Sequence, residues 1–340
     1  MTINIGLVGA GNISRTHARA CRDIAGARVA AVYAPTREHA EHLAAEYGAE
    51  ACDTLEALLA HRPMDMVAIG SPSGLHAEHG IAAARRGLHV LVEKPIDVTL
   101  DRADALIAEA ASRGVTLGVI FQDRFKAGVR RLKALVDEGR LGTPILATAH
   151  VKWYRPPSYY RESAWRGTRA LDGGGALMNQ AVHTVDLLLW LFGPVRRVFG
   201  KTAARLHDIE VEDTAVGVLE FASGALGTLE ATTAAYPGYA RGLELTGSNG
   251  TLRLDGDRLA AIDLRNSVSD VVDAPEAAPP ESAASPVVSD VSAHRAVFED
   301  FIRAVRDGAS PCCDGVQGRR SVELIDAIYR SSRNHVPVDL

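Results

Sequence analysis

The chain has 340 residues, is 47% hydrophobic and 23% charged, and carries a formal net charge of −5. That length suits two domains, each able to bury its own core, and the mild charge with scattered Lys and Arg argues against a nucleic-acid surface. No uninterrupted apolar run is long enough to span a bilayer, the opening residues lack the pattern of a secretion signal, and Cys21, Cys52, Cys312 and Cys313 show no Cys-x-x-Cys spacing, so neither a zinc site nor a disulfide framework is expected. A reduced cytoplasm is the expected compartment.

From the start, short apolar runs alternate with longer helical patterns. Ile3–Val8, Arg28–Tyr33, Met64–Ile69, His89–Val92 and Val115–Ile120 read as buried strands, and Arg37–Tyr47 and Leu100–Arg113 read as helices between them. Gly48, Gly87 and Gly114 stand where helices should stop. This alternation predicts an α/β fold whose first domain, residues 1–122, is a doubly wound parallel sheet.

The texture changes after Gly118. A helix over Ala127–Glu138 leads to a strand over Ile145–Lys152, and further strands are predicted at Arg196–Thr202, Thr214–Phe221, Ala225–Thr233, Arg241–Thr246 and Thr251–Leu254. Ser223-Gly224 and Ser248-Asn249-Gly250 separate several of these as hairpin turns, which predicts an antiparallel sheet in a second domain over 123–340. The Ala-, Pro- and Ser-rich stretch Ser267–Ser292 reads as a surface loop, and helices over Ala293–Asp307 and Gly318–Arg333 close the chain.

Gly9-Ala10-Gly11-Asn12-Ile13-Ser14 follows a strand and opens a helix. Gly9 permits a tight turn, Gly11 lets backbone approach a pyrophosphate at the helix N-terminus, and Ser14 is small enough for close packing. At the end of the next strand, Ala34 stands where NAD-preferring folds place a carboxylate for the ribose 2′-hydroxyl. Thr36 and Arg37 could hold a 2′-phosphate instead, which favours NADP over NAD; otherwise Arg37 simply faces solvent. Ser71-Pro72-Ser73-Gly74-Leu75-His76 follows another strand at the carboxyl edge, where ligands bind in open α/β sheets, and Ser73 also suits a helix cap.

Glu93-Lys94-Pro95 closes the strand that begins at His89. A buried lysine beside a nicotinamide suits hydride chemistry on an alcohol; the structural alternative is an ion pair with Glu93 or another carboxylate. Downstream, Asn179, His183 and Asp186 are spaced four and three apart on a helix expected from near Gly175, so they share one face. That face either points into a site or forms the polar edge of an amphipathic helix. Between these lies Lys152–Arg169, whose aromatics and arginines, among them Tyr154, Arg155, Tyr160, Trp165 and Arg166, suit a polyhydroxylated or anionic ligand, or else a rigid loop packed on the sheet.

On these residues, with Gly142-Thr143-Pro144 and Gly173-Gly174-Gly175 added, the chain resembles the Gfo/Idh/MocA family of glucose-fructose oxidoreductase and inositol dehydrogenase relatives over nearly its whole length. The resemblance implies an N-terminal Rossmann domain and a C-terminal α/β domain with a large, mainly antiparallel sheet. One face of that sheet would cover the cofactor and the other would form the interface of dimers or tetramers. It implies that Lys94 contacts the reacting hydroxyl and the nicotinamide, and that His183 exchanges the proton. Gln122, Trp165 and Arg166 look like the residues that line the nicotinamide end in relatives, with Glu93, Ser71, Pro72, Ser73 and His76 around the cofactor. Asn179 departs from the Asp that many inositol dehydrogenase relatives carry; an amide binds a hydroxyl but does not relay a proton.

The expected function is therefore reversible oxidation of a secondary alcohol on a sugar or cyclic polyol. His183, with an ordinary imidazole pKa of about 6.5, would be the base, and Lys94 would stabilise the alkoxide. Two alternatives stand beside it: a catalytically silent dinucleotide-sensing protein of the same fold, and an NADPH-dependent keto-sugar reductase.

Overall fold

The computed structural model describes residues 2–265 and 290–340. These fall into two units, one running to Gln122 and again from 290 to Arg319, the other comprising Asp123 to 265 and Arg320–Leu340.

The first unit is built by β1 (Ile3–Val8), α1 (Asn12–Arg22), β2 (Ala27–Tyr33), α2 (Arg37–Tyr47), β3 (Glu50–Cys52), α3 (Leu55–Ala60), β4 (Met66–Ile69), α4 (His76–Arg85), β5 (His89–Glu93), α5 (Leu100–Arg113) and β6 (Leu117–Ile120). Every residue of β1, β4 and β6 is buried, as expected for continuous apolar runs in a parallel sheet covered on both faces. The six strands run parallel in the order β3-β2-β1-β4-β5-β6, which places the topological switch between β1 and β4. The short edge strand β3 was not expected: three residues are too few for a periodic signal. Helix α5 shows why the helical runs were legible. Thr99 caps its start by accepting from Arg102 N, and Gly114 ends it with φ 62°, a left-handed turn that glycine adopts without steric cost.

The second unit holds α6 (Ala127–Asp137), β7 (Pro144–Lys152), α7 (Pro157–Arg161), α8 (Val182–Phe192), β8 (Val195–Ala203), β9 (Thr214–Phe221), β10 (Leu226–Thr232), β11 (Gly242–Gly247), β12 (Gly250–Asp255) and β13 (Arg258–Leu264). The chain then continues through α9 (Ser292–Asp307), α10 (Gly315–Asn334) and β14 (Val338–Asp339). The second sheet has eight strands in the order β13-β12-β11-β7-β10-β9-β8-β14, antiparallel except for the β7–β10 pair. Hairpins form at Ser223-Gly224 and at Ser248-Asn249, where the turn residues predicted them. Strand β13 was missed because Arg258, Asp263 and the alanines give it little apolar alternation.

Helix α9, expected in the second domain, clusters with the first unit instead. A Cβ on Gly118 of β6 would lie 2.7 Å from the Phe301 ring, so the glycine makes room for that side chain. Cys313 O accepts from Val119 N at 2.9 Å, which fastens the following segment to β6. Apart from its last residues, the predicted surface loop Ser267–Ser292 lies outside the described residues. No described helix is long and apolar enough to cross a membrane.

Candidate active site

In the first unit the turn from β1 into α1 has the features of an anion cradle. Gly9 adopts φ 113°, and a Cβ there would lie 2.8 Å from Gly70 O; Gly11 has open space where a Cβ would stand. Helix α1 starts at Asn12 with no side-chain cap and no acidic residue in its first turn, so its N–H groups and positive dipole end are available to a phosphate. Ser14 is buried behind the turn, its Oγ without a hydrogen-bond partner among the described residues, close to both Gly9 and Gly70; Ile13 packs against Gly70 as well. These residues fit the pyrophosphate of a dinucleotide.

At the end of β2, Ala34 is buried and offers no acceptor, while Thr36 and Arg37 are exposed. Arg37 Nε donates to Glu41 Oε1 at 2.6 Å and its Nη1 to Asp53, so two carboxylates already hold the guanidinium. The sequence left Arg37 as either a donor to a 2′-phosphate or a solvent-facing side chain; it is exposed and paired with these two carboxylates.

After β4, Ser71 and Pro72 are half-buried and Ser73 is buried in a short 3-10 turn. His76, expected at the cofactor, is instead fully internal: Nδ1 lies 2.7 Å from Pro95 O and Nε2 lies 2.9 Å from Ser71 O. The ring braces two loops of the carboxyl edge against each other. Burial pushes its pKa down, against the opposing pull of the two carbonyls.

Glu93, at the end of β5, is likewise a brace. Its Oε1 is 2.9 Å from His17 Nε2 on α1, and its Oε2 accepts the Lys94 backbone N–H at 3.1 Å. Burial raises the carboxyl, but the hydrogen bond and charge of His17, with His294 and Lys94 nearby, win and bring its pKa to about 2. His17, which no local pattern singles out, thus ties the dinucleotide turn to the segment that presents Lys94. Lys94 itself is half-buried rather than buried, and its peptide with Pro95 is cis. Gln122 ends the unit with its Oε1 buried and without a hydrogen-bond partner among the described residues, an acceptor suited to an amide or hydroxyl.

In the second unit, His183 lies in the first turn of α8, 9% exposed. The preceding segment Ala176–Ala181 is a π-helix, a rare form concentrated at functional sites. Buried Glu212 organises it, accepting from Gly175 N at 3.2 Å, Leu177 N at 2.8 Å and Tyr329 Oη at 2.9 Å. The wider turn changes the expected shared face. Asn179 Nδ2 donates to Asp172 and its Oδ1 accepts from Gln180 Nε2 at 2.7 Å. Asp186 forms a buried pair with Arg124, at 2.6 and 2.8 Å, roofed by the Trp190 ring 5.1 Å from the guanidinium. Of the two readings of this face, Asp186 takes the structural one, in a buried ion pair, while His183, three residues earlier in α8, meets the neighbouring Asp123.

The carboxylate beside His183 is Asp123, whose Oδ2 lies 3.7 Å from Nδ1. Arg241 Nη1 donates to the same oxygen, and Arg241 also reaches Asp257 and Gly256 O. Against burial, which raises it, Arg241 and His183 hold the Asp123 carboxyl below the usual range.

The aromatic stretch divides. Tyr160 is buried, its hydroxyl 3.0 Å from Thr233 Oγ1 and its ring 4.8 Å from His207, contacts that suit the packed-loop reading of this stretch. Arg155 is 2% exposed and donates to Gln180 Oε1 at 2.8 Å and Tyr154 O at 3.0 Å, between the rings of Trp153 and Tyr159. It braces the loop against the π-helix. Tyr154 is half-buried against Tyr236. Trp165 and Arg166 are half-buried; Arg166 stacks 4.2 Å over Tyr159, with its Nε lacking a hydrogen-bond partner among the described residues.

Comparison with known proteins agrees with both halves. Residues 3–121 match the oxidoreductase family with an NAD-binding Rossmann fold, and residues 129–253 match the GFO/IDH/MocA C-terminal domain. The chain is 28% identical over 344 residues to inositol 2-dehydrogenase of Rhizobium meliloti (strain 1021), covering 97% of each chain. It is 31% identical over 251 residues to 1,5-anhydro-D-fructose reductase of Ensifer adhaerens, covering 73% of this chain and 74% of that one. Among solved structures it is similar to the WlbA dehydrogenase from Bordetella pertussis in complex with NADH and UDP-GlcNAcA, with TM-score 0.90, 32% identity, and 100% and 98% coverage.

Proposed function

The chain belongs to the GFO/IDH/MocA family of NAD(P)-dependent oxidoreductases, and from that premise we propose that it interconverts a secondary alcohol and a ketone on a sugar, cyclic polyol or sugar derivative. The observation that carries this reading is the presence of Lys94 at the carboxyl end of β5 together with His183 beside a buried carboxylate. When bound, the nicotinamide takes or returns the hydride at the reacting carbon. His183 takes the hydroxyl proton in the oxidative direction. Lys94, as an ammonium, stabilises the negative charge that develops on the oxygen. Gly9, Gly11, Asn12 and Ile13 hold the pyrophosphate through backbone, Ser71–Ser73 wall the dinucleotide, and Gln122, Trp165 and Arg166 surround the reacting end. Tyr154 and Asn179 border the substrate.

The named relatives act on inositol and anhydrofructose, and the WlbA structure holds a nucleotide sugar acid. With Arg166 and Arg169 in the aromatic stretch, an anionic sugar derivative is the first substrate to try. For the cofactor, we favour NAD(H) over the NADP expected from Ala34 and Arg37. Glu41 and Asp53 already neutralise Arg37, and a 2′-phosphate would meet their negative charge. Arg37→Ala should leave the KM for NAD within about twofold; a large loss of NADP-linked turnover in that variant would restore the original expectation. Copies of the chain are proposed to pair through the open face of the second sheet, where Phe199, Val216, Val218 and Leu226 are about half exposed on adjoining strands.

The test is nicotinamide absorbance with NAD and NADP against inositols, aldoses, anhydro-sugars and nucleotide sugars. Lys94→Met should lower turnover at least about a hundredfold with dinucleotide affinity retained, and His183→Ala should remove the acidic limb of the pH–rate profile. Near-normal turnover in Lys94→Met would remove it from the mechanism. Tight dinucleotide binding without turnover on any substrate would favour the sensing role.

A further inference from the structure

We propose that Asp123 is the positioning residue for His183, supplying from another element the carboxylate partner that position 179 lacks. This rests on the reading of His183 as the proton-exchanging group. Asn179 is committed elsewhere: its amide nitrogen donates to Asp172 and its oxygen accepts from Gln180. Asp123 stands in the 3-10 turn after β6, 8% exposed, with Oδ2 3.7 Å from His183 Nδ1. That separation is an ion-pair contact, longer than a hydrogen bond, of the kind that tightens when the ring gains a proton.

The surroundings determine what such a carboxylate can do. Facing this pair are Arg241 from the end of the β11 edge, Asp257 from the β12–β13 turn, and Lys126 beside Asp257 at 3.6 Å; Asp186 is taken up by Arg124. Arg241 binds Asp123 and Asp257 with separate nitrogens and Gly256 O with Nε, so its fork is fixed. It keeps Asp123 ionised and directs one oxygen toward the imidazole. A fixed anion at Nδ1 favours the tautomer with hydrogen on Nδ1, leaving Nε2 as the base, and stabilises the imidazolium once the substrate proton has moved. Asp123 does not itself carry the proton.

The experiment is a pH titration of the His183 ring by NMR in histidine-labelled protein, assigned with His183→Gln, for wild type, Asp123→Asn and Asp123→Glu. Turnover profiles are recorded in parallel with whichever sugar of the inositol, aldose, anhydro-sugar and nucleotide-sugar panel the wild type turns over. In Asp123→Asn the ring should titrate at least about one pH unit lower, the acidic limb of kcat/KM should move with it, and kcat should fall about tenfold or more. Asp123→Glu should recover most of the shift. A purely structural role would lower stability without moving the titration. An unchanged titration in Asp123→Asn overturns the proposal, even if His183→Ala proves inactive and the broader reading stands. A fully active His183→Ala instead sinks that reading, whatever the titration shows. Should Asp123→Asn fail to fold, Asp123→Ser gives the complementary test: it too removes the carboxylate and should lower the His183 titration, and no fall counts against the proposal.

Discussion

The brace between His17 and Glu93 gives the sharpest stability prediction. Glu93→Gln keeps the side-chain volume and removes the charge at a site 6% exposed. Bringing a carboxyl from 4.5 to about 2 corresponds to roughly 3 kcal/mol of stability at neutral pH, at about 1.4 kcal/mol per tenfold change in proton affinity. The sign follows from linkage. The folded carboxyl has the lower pKa, so the unfolded chain binds more protons, and the contribution is full above pH 4.5 and fades as pH falls toward about 2. For a unit of this size, 3 kcal/mol is worth about 6–12 °C in Tm. Thermal unfolding of wild type and Glu93→Gln, followed by circular dichroism at pH 7, 5, 4 and 3, should show a gap that is widest at pH 7 and shrinks steadily below pH 4.5. A gap that stays constant to pH 3 would refute the assignment of the stabilisation to the ionised carboxylate.

Two further outcomes probe the second unit. Arg124→Met strands Asp186 in the core, where burial already pushes the carboxyl up, and should cost about 3–5 kcal/mol in urea unfolding; adding Asp186→Leu should recover most of that, and equal losses in both variants would show that the pair is not the cause. Val218→Glu places a charge in the middle of the apolar sheet face and should shift the protein toward monomers in sedimentation analysis while circular dichroism stays unchanged; an unaltered sedimentation profile would locate any pairing of copies elsewhere.

What could be read from the sequence is what local physics controls. The buried strands β1, β4 and β5 are apolar runs of four to six residues, and a run of that kind carries its own signal. The dinucleotide turn was legible for the same reason: Gly9, Gly11 and the helix start lie within a few residues of one another. Helix ends and hairpins were legible too, since turns need particular residues in place. The tertiary structure decided which elements and side chains would meet. It took α9 to the first unit, since only the assembled β6 shows that Gly118 leaves room for Phe301. It set His17 against Glu93 across 76 residues and Arg124 against Asp186 across 62, distances at which no spacing rule operates. The π-helix before His183 disturbs the four-residue spacing from Asn179, and within α8 it is Arg124, from a distant turn, that takes up Asp186. A buried polar group must find a partner wherever the fold provides one, so the identity of that partner is a property of the folded chain and not of the neighbouring sequence.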